Sequence, residues 1–206
     1  KTEINIQLSK QKIQPLSIET MTIGQPNFLL DSTGKSWGCD LVIACDGANS
    51  LLRKQAGFTV IDQSRNETAL VTSVHTKRPI GTIAYQRFLP SGPLALMPTS
   101  TQTASIVWSL PNSQAEALTR QDKNTFEHTL NAAFGKDLGR LTLASTLLTW
   151  PLKPHFCPRI SKPGFVLAGD AGHALHPLAG MGFNLALADV AILLDCLQNA
   201  SYRGLT

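Results

Sequence analysis

The sequence predicts a mixed α+β and α/β protein in which two pieces of an α/β layer flank a mostly antiparallel β-sheet. Three observations carry this. Two apolar runs, "DLVIACDG" and "GFVLAGDAG", each end in an acidic residue beside glycine. Between them lie strand-like segments separated by Pro, Gly and Ser. A long helical pattern, "FNLALADVAILLDCLQN", follows the second acidic end.

The elements follow in order. "TEINIQL" alternates polar and apolar, as a strand does, and "IETMTIG" continues in the same manner. "NFLLDSTGKSWG" reads as strand, turn at Asp31 to Gly34, and strand. "DLVIACDG" is apolar without a break, which predicts a strand buried on both faces. "ANSLLRKQAG" predicts a short helix closed by Gly57. "TALVTSVHT", "GTIAYQRFL", "GPLALMPTS" and "TASIVWSL" predict the antiparallel sheet. "NSQAEALTRQDKNTFEHTLNAAFG" has helical period and reads as two helices, the second with an Asp start and a Gly stop. "LTLASTLLTWPL" is one more strand, ended by Trp150-Pro151. "PGFVLAGDAG" predicts a strand, then a loop to about Gly182 and the long helix, whose apolar stripe reads as core.

Composition bounds the function. The 206 residues are 43% hydrophobic and 16% charged, which is globular. A net charge of +4, with scattered Lys and Arg, gives no nucleic-acid footprint. Cys39, Cys45, Cys157 and Cys196 form no CxxC pair and read as reduced thiols of a cytosolic protein. No apolar run is expected to reach the roughly 18 residues that cross a bilayer, and the opening "KTEINIQLSK" is not a signal peptide.

Ligands of open α/β sheets bind beyond the carboxyl ends of strands. The acidic ends Asp46-Gly47 and Gly169-Asp170 stand there. A carboxylate at such an end can accept hydrogen bonds from sugar or polyol hydroxyls, and glycine lets the backbone come close. Asp-Gly is also a common turn, so the first motif alone leaves both readings open. The second is followed by Pro177 and Gly180-Met181-Gly182 at the start of the long helix. Free N–H groups at a helix start suit an anion or a ring oxygen, although an ordinary strand-to-helix loop has the same spacing.

"LVIACDGANSLLRKQAG" resembles the Asp-Gly motif of the class A flavoprotein monooxygenases, FAD-dependent aromatic hydroxylases. "GFVLAGDAGHALHPLAGMGFNLALADVAILLDCL" is similar to their second FAD motif, Gly-Asp followed by Pro-x-x-Gly-x-Gly-x-Asn. "YQRFLPSGPLALMPTS" and "SIVWSLP" resemble the branch that hydroxylates ubiquinone precursors. The resemblance implies a partial FAD-binding, Rossmann-like layer in 1–66, a β-rich substrate domain in 67–152, and a second FAD segment in 153–206. It implies that Asp170, beside Gly169, meets the ribityl chain of FAD. Pro177, Gly180, Met181 and Gly182, with Phe183, would lie against the flavin ring, and Asn184 would fix the loop. Asp46, Gly47, Ser50 and Arg53 match the segment used near the FAD pyrophosphate and for NAD(P)H. The branch usually carries Gln where Met181 stands; backbone contacts should tolerate that.

The resemblance further implies reduction by NAD(P)H, reaction with O2, and hydroxylation of an electron-rich, prenylated phenol of ubiquinone biosynthesis. It places the protein in the cytoplasm, with peripheral contact to the inner membrane or a biosynthetic complex left open. No side chain is named as a general base, in keeping with chemistry carried by the cofactor. The family's GxGxxG is not in this sequence, so the chain reads as the middle of a longer enzyme and is expected to hold FAD weakly. Alternatives in the same cofactor class are a prenyl reductase or a halogenase; a non-catalytic module of a lipid-biosynthetic complex is another. His173 and His176 have a metal-like spacing but lie in a loop without a third ligand, so no metal is expected. His75, His128 and His155 read as surface or packing residues. No GxSxG elbow supports a hydrolase.

Overall fold

The structure, a computed structural model, describes residues 18–22, 27–31, 33–177 and 181–204. The expected strand "TEINIQL" and the candidate Gly180 lie outside them.

The largest element is a six-stranded antiparallel sheet. It contains β6 (Glu67–Thr76), β7 (Tyr85–Leu89), β8 (Gly92–Ser100), β9 (Thr103–Pro111), β10 (Leu141–Leu143) and β11 (Leu148–Leu152). The order is β10-β6-β9-β8-β7, with β11 also on β6. Side chains alternate across a strand, and the register turns that alternation into rows. Leu70 and Leu94 both face Trp108, while Thr72 and Leu96 both face Ile106. All five hydrophobic members of these rows are buried. Two helices cover this face, α2 (Asn112–Thr119) and α3 (Lys123–Phe134), contributing Ala115, Leu118, Phe126, Leu130 and Phe134. Asp122 starts α3 by accepting from the backbone N–H groups of Asn124 (2.9 Å) and Thr125 (3.1 Å), and Gly135 stops it. Each buried aliphatic side chain adds about 1.5–3 kcal/mol.

The expected single strand "LTLASTLLTWPL" is two strands, β10 and β11, laid successively along the same partner β6. Ser145 lies between them; its carbonyl accepts from the Thr72 hydroxyl (3.0 Å) and its own hydroxyl from the Ser73 N–H (2.9 Å). Pro151 does not end β11 but sits inside it, opposite Thr68. An edge strand tolerates a residue without an N–H.

Three smaller sheets complete the fold. β1 (Ile18–Thr22), β2 (Asn27–Asp31) and β3 (Ser36–Cys39) form an antiparallel meander. Its turn is organised by Asp31, which accepts from the Thr33 hydroxyl (2.6 Å), the Trp37 indole (2.8 Å) and the N–H groups of Thr33 and Lys35. These bonds, the Thr33 hydroxyl foremost, hold the Asp31 carboxyl well below the ordinary carboxylate range. β4 (Val42–Ala44), β14 (Phe165–Leu167) and β13 (Ser161–Lys162) form a thin layer in the order β13-β14-β4. β5 (Ile61–Asp62), β12 (His155–Phe156) and β15 (His173–Ala174) form a third group in the order β15-β12-β5. None of β5, β12, β13 and β15 was expected from the sequence, because two residues are too few to show a period.

Three further expectations are corrected. "DLVIACDG" is not buried on both faces: Val42 and Ala44 are buried, while Ile43 between them is 43% exposed. The helix α4 (Met181–Tyr202) forms as expected, but its apolar stripe is not core. Leu185, Ala186, Asp189 and Leu193 are partly covered, whereas Leu187, Val190, Ile192, Leu194 and Leu197 are exposed. The thin layer meets only one side of this helix among the described residues. α4 is also long and apolar enough, by length and composition, to cross a membrane, contrary to the expectation that no run would be.

Candidate functional site

The site begins with a register. β4 and β14 run parallel, with Ala44 opposite Leu167 and the Ala168 N–H donating to the Ala44 carbonyl (3.0 Å). The two acidic motifs therefore leave the layer side by side at its carboxyl edge, where α/β sheets bind ligands. The sequence singled out each motif separately; their adjacency is a result of parallel pairing.

Asp46 turns inward on its own segment. Its carboxylate accepts from the Ser50 hydroxyl and from the Leu52 N–H (3.2 Å). The Ser50 hydroxyl oxygen in turn accepts from the Arg53 N–H (2.9 Å), capping the short helix α1 (Leu51–Gln55). Gly47 between them has φ +81°, a conformation that side chains disfavour. Asp46, Gly47 and Ser50 thus build the turn that aims Arg53.

Arg53 joins the two motifs. It is 5% exposed. It donates to the carbonyls of Ala171 (2.7 Å) and Ala48 (2.8 Å) and to Nε2 of His155 (3.0 Å). His155 Nδ1 lies 3.2 Å from the Lys153 carbonyl, so the hydrogen belongs on Nδ1 and Nε2 is the acceptor. The Asp170 carbonyl also lies 3.1 Å from Nε2. Arg53 and His155 line a cavity of about 490 Å³ that also touches Asp170 and Pro177. His155, expected as a packing or surface residue, is a buried part of this junction. Nothing in its sequence neighbourhood signals that, because its partners are over a hundred residues away or are backbone atoms.

The second motif is held from the helix side. Gly169 to Ala171 form one 3-10 turn. The Gly169 N–H donates to Asp189 Oδ2 (2.7 Å), and the same oxygen lies 2.8 Å from His173 Nε2. Gly169 has φ +59°, and a Cβ there would stand 3.4 Å from the Ala186 Cβ. Asp189 was missed by the sequence reading; an acidic residue inside an apolar helical stripe was the available signal. Three residues on from His173, His176 Nε2 lies 3.1 Å from Glu67 Oε2 of β6. The two histidines therefore diverge to different carboxylates, and no group of metal-ligating residues occurs among the described ones. Asp170, freed from such partners, is exposed, and its carboxylate has no hydrogen bond among the described residues.

A cavity of about 690 Å³ opens over this edge, bordered by Gly47, Asp170, Pro177, Gly182 and Phe183. Cys45 is on its wall. Partial burial, and then Asp46 and Asp189, push its thiol up. Met181 begins α4, exposed, and lines a neighbouring cavity of about 650 Å³. Asn184 is exposed and lines neither of them.

The model of the family described as FAD binding domain matches residues 19–204. The chain belongs to the FAD-binding domain family. Among similar curated proteins, it is 31% identical to the mitochondrial ubiquinone biosynthesis monooxygenase COQ6 of Drosophila melanogaster, over 96% of this chain and 48% of that protein. It is 35% identical to the 3-demethoxyubiquinol 3-hydroxylase of Escherichia coli, over 80% of this chain and 42% of that protein. The chain thus spans less than half the length of these relatives. Among solved structures, it is similar to the probable FAD-dependent monooxygenase pqsL of Pseudomonas aeruginosa, at 21% identity and a TM-score of 0.73 over 90% of this chain and 54% of that one. It is also similar to the flavin-dependent halogenase CmlS, at 18% identity and a TM-score of 0.66 over 82% and 33%. These two likenesses establish the FAD-binding fold.

The residues present fit the family's cofactor. A Cβ at Gly47 or at Gly182 would meet nothing within 4 Å, so both glycines face open space at the cavity over the strand ends. An exposed carboxylate, Asp170, lines the same cavity and has no donor among the described residues. The first turn of α4 holds no acidic residue, which suits an anionic ligand at its positive end.

Proposed function

We propose that the protein is an FAD- and NAD(P)H-dependent monooxygenase that hydroxylates the ring of a prenylated phenol in ubiquinone biosynthesis. The observation that carries this is the side-by-side exit of Asp46-Gly47 and Gly169-Asp170 beneath the glycine-bordered cavity. The likeness to a ubiquinone biosynthesis monooxygenase and a 3-demethoxyubiquinol 3-hydroxylase supports the substrate class.

In this reading Asp170 accepts hydrogen bonds from the ribityl hydroxyls of FAD. Gly169, Pro177, Gly182 and Phe183 shape the wall beside the ring, with Met181 on the adjoining cavity. When bound, FAD supplies the redox chemistry and the activation of O2. The chain's residues do the rest. The N–H groups and dipole of α4 stabilise negative charge beside the helix start. Arg53 is held by the Asp46-Gly47-Ser50 turn and fixes the two motifs relative to one another. At the floor of the 490 Å³ cavity its charge also suits an anionic cofactor phosphate, the proposed approach of NAD(P)H. The large sheet supplies Phe88 and Pro93 to the neighbouring cavity, an apolar wall for an aromatic ring. A prenylated substrate also implies work at a membrane surface, from the cytoplasmic side.

The test is product analysis. Purified protein supplied with FAD, NADH or NADPH, 18O2 and a prenylated phenol should give a ring-hydroxylated product carrying one 18O atom. Unlabelled product, or nicotinamide oxidation that never yields hydroxylated ring, contradicts the reading.

A further inference from the structure

We propose that the open face of the large sheet carries the isoprenoid tail of the substrate, along a charge-free strip that starts at the cavity of about 650 Å³. The assignment deepens the reading above and rests on it: the ring sits in the cavity and the tail outside.

The strip follows from the register. α2 and α3 cover the face that holds Leu70, Leu94 and Ile106, so the alternate residues of the same strands point the other way. Leu148 pairs with Val71, Val71 with Val107, Val107 with Ala95, and Ala95 with Gln86. They make one row from β11 to β7, about 19 Å long at four strand spacings. Ser73, Ser105 and Met97 make the next row. Neither row contains a charged residue. Val71, Ala95 and Val107 are partly exposed and Leu148 is 62% exposed, so the first row is open to a ligand along its length. The exposed large hydrophobics of the sheet are Phe88, Met97, Leu148 and Trp150, and all four are on this face. An exposed apolar strip of this kind marks a binding surface.

Position joins the strip to the cavity. Phe88 and Pro93 pair across β7 and β8, two residues from Gln86 and Ala95 and on the same face, and both line the cavity. Phe88 is 77% exposed, at the rim between the two. A cavity of this size holds a drug-sized ligand, and a ring with a long tail exceeds that. Beyond Phe88 the tail meets the strip.

Chemistry selects the occupant. β6, β9 and β8 each have a strand on both sides, so their N–H and C=O groups are used by the sheet's own ladders. A peptide laid over them finds no backbone partner. An isoprenoid chain has no donor or acceptor to satisfy, and it gains wherever it covers apolar surface.

The probes are phenols with no tail or with tails of increasing length, up to a geranylgeranyl chain. They are kept below self-association and titrated by calorimetry into the full chain without FAD or NAD(P)H. One buried CH2 is worth about fourfold in affinity, so each added isoprene unit should tighten binding at least about tenfold. Val107→Asp puts a charge in the middle of the row and should remove the gain from the longer tails. Leu148→Asp, at the far end, should reduce it. The tailless phenol should bind both variants as it binds wild type. Affinity independent of tail length in wild type overturns the proposal, as does a gain that survives both substitutions. In case Val107→Asp fails to fold, wild type gives a second reading: a photoreactive diazirine at the tail end should label β6, β9 or β11. Labelling confined to α4, or none at all, sinks the idea. No turnover enters these measurements, so a tail bound elsewhere leaves the hydroxylation reading to its own assay.

Discussion

In the large sheet, Leu70, Trp108 and Leu94 form a row beneath two helices, and Leu130 and Phe134 close it completely. In the thin layer, Val42 and Ala44 are covered while Ile43 between them faces outward, and α4 contributes no buried residue. Both regions are apolar in sequence, but the second packs only a small cluster, Val42, Ala44, Phe58, Phe165 and Leu167 among it. To that cluster it adds directed polar contacts: Arg53 to the 3-10 turn, Asp189 to Gly169, and Asp46 to Ser50. Stability is concentrated in one region and ligand geometry in the other. Side chains that read as ligand contacts serve partly as the fasteners of their own turns.

The strongest way to break this comparison is a matched pair of truncations. Phe134→Ala in the large sheet should cost about 3–5 kcal/mol, whereas Ile43→Ala on the open side of the layer should stay within about 0.5 kcal/mol. Urea unfolding of the two variants reads the difference directly; similar costs would show the face of Ile43 to be packed after all.

A smaller, local effect is expected at the junction. Arg53→Met strands the Ala171 carbonyl and removes the donor to His155, at about 1–3 kcal/mol for a buried acceptor left alone. Native-state hydrogen exchange should then show lost protection in β4, β14 and the 3-10 turn, with β6, β8 and β9 unchanged. Uniform loss across both regions would mean that they unfold as one unit.

The smallest effect concerns the β2–β3 turn. The Asp31 carboxyl is held below its ordinary value by the Thr33 hydroxyl and the Trp37 indole. A depressed carboxyl stabilises the fold fully above the unfolded value of about 4, and that contribution is lost as the pH falls from there through the lowered value. Asp31→Asn should therefore flatten the acid side of a melting-temperature profile and leave its slope near neutrality unchanged. A variant whose acid limb matches wild type argues against this assignment.

Much of the large sheet was legible because its punctuation is local. β8 and β9 are bounded by Gly92, Ser100 and Pro111, and α3 by Asp122 and Gly135. The split of β10 from β11 was not, since it depends on where Ser145 meets β6. In the site, the residue types of both motifs were visible, but not their geometry. The parallel register of Ala44 with Leu167 joins residues over a hundred positions apart. His155, Asp189 and Glu67 were hidden for the same reason: each acts on a backbone group or side chain brought near only by the fold. The exposure of α4 was also unreadable, because an apolar stripe states what a helix can bury and not what covers it.

The central claim is that the paired strand ends form the FAD site, and Asp170 is where it is most exposed to test. An FAD titration followed by flavin fluorescence, on wild type and Asp170→Ala, reads it directly. The Asp170 side chain is exposed and its carboxylate makes no hydrogen bond among the described residues, so the variant should unfold at the same urea concentration as wild type. Its FAD dissociation constant should rise at least about tenfold, the loss of charge-assisted hydrogen bonds worth about 1.5–3 kcal/mol. Equal FAD binding by the two proteins would contradict the account.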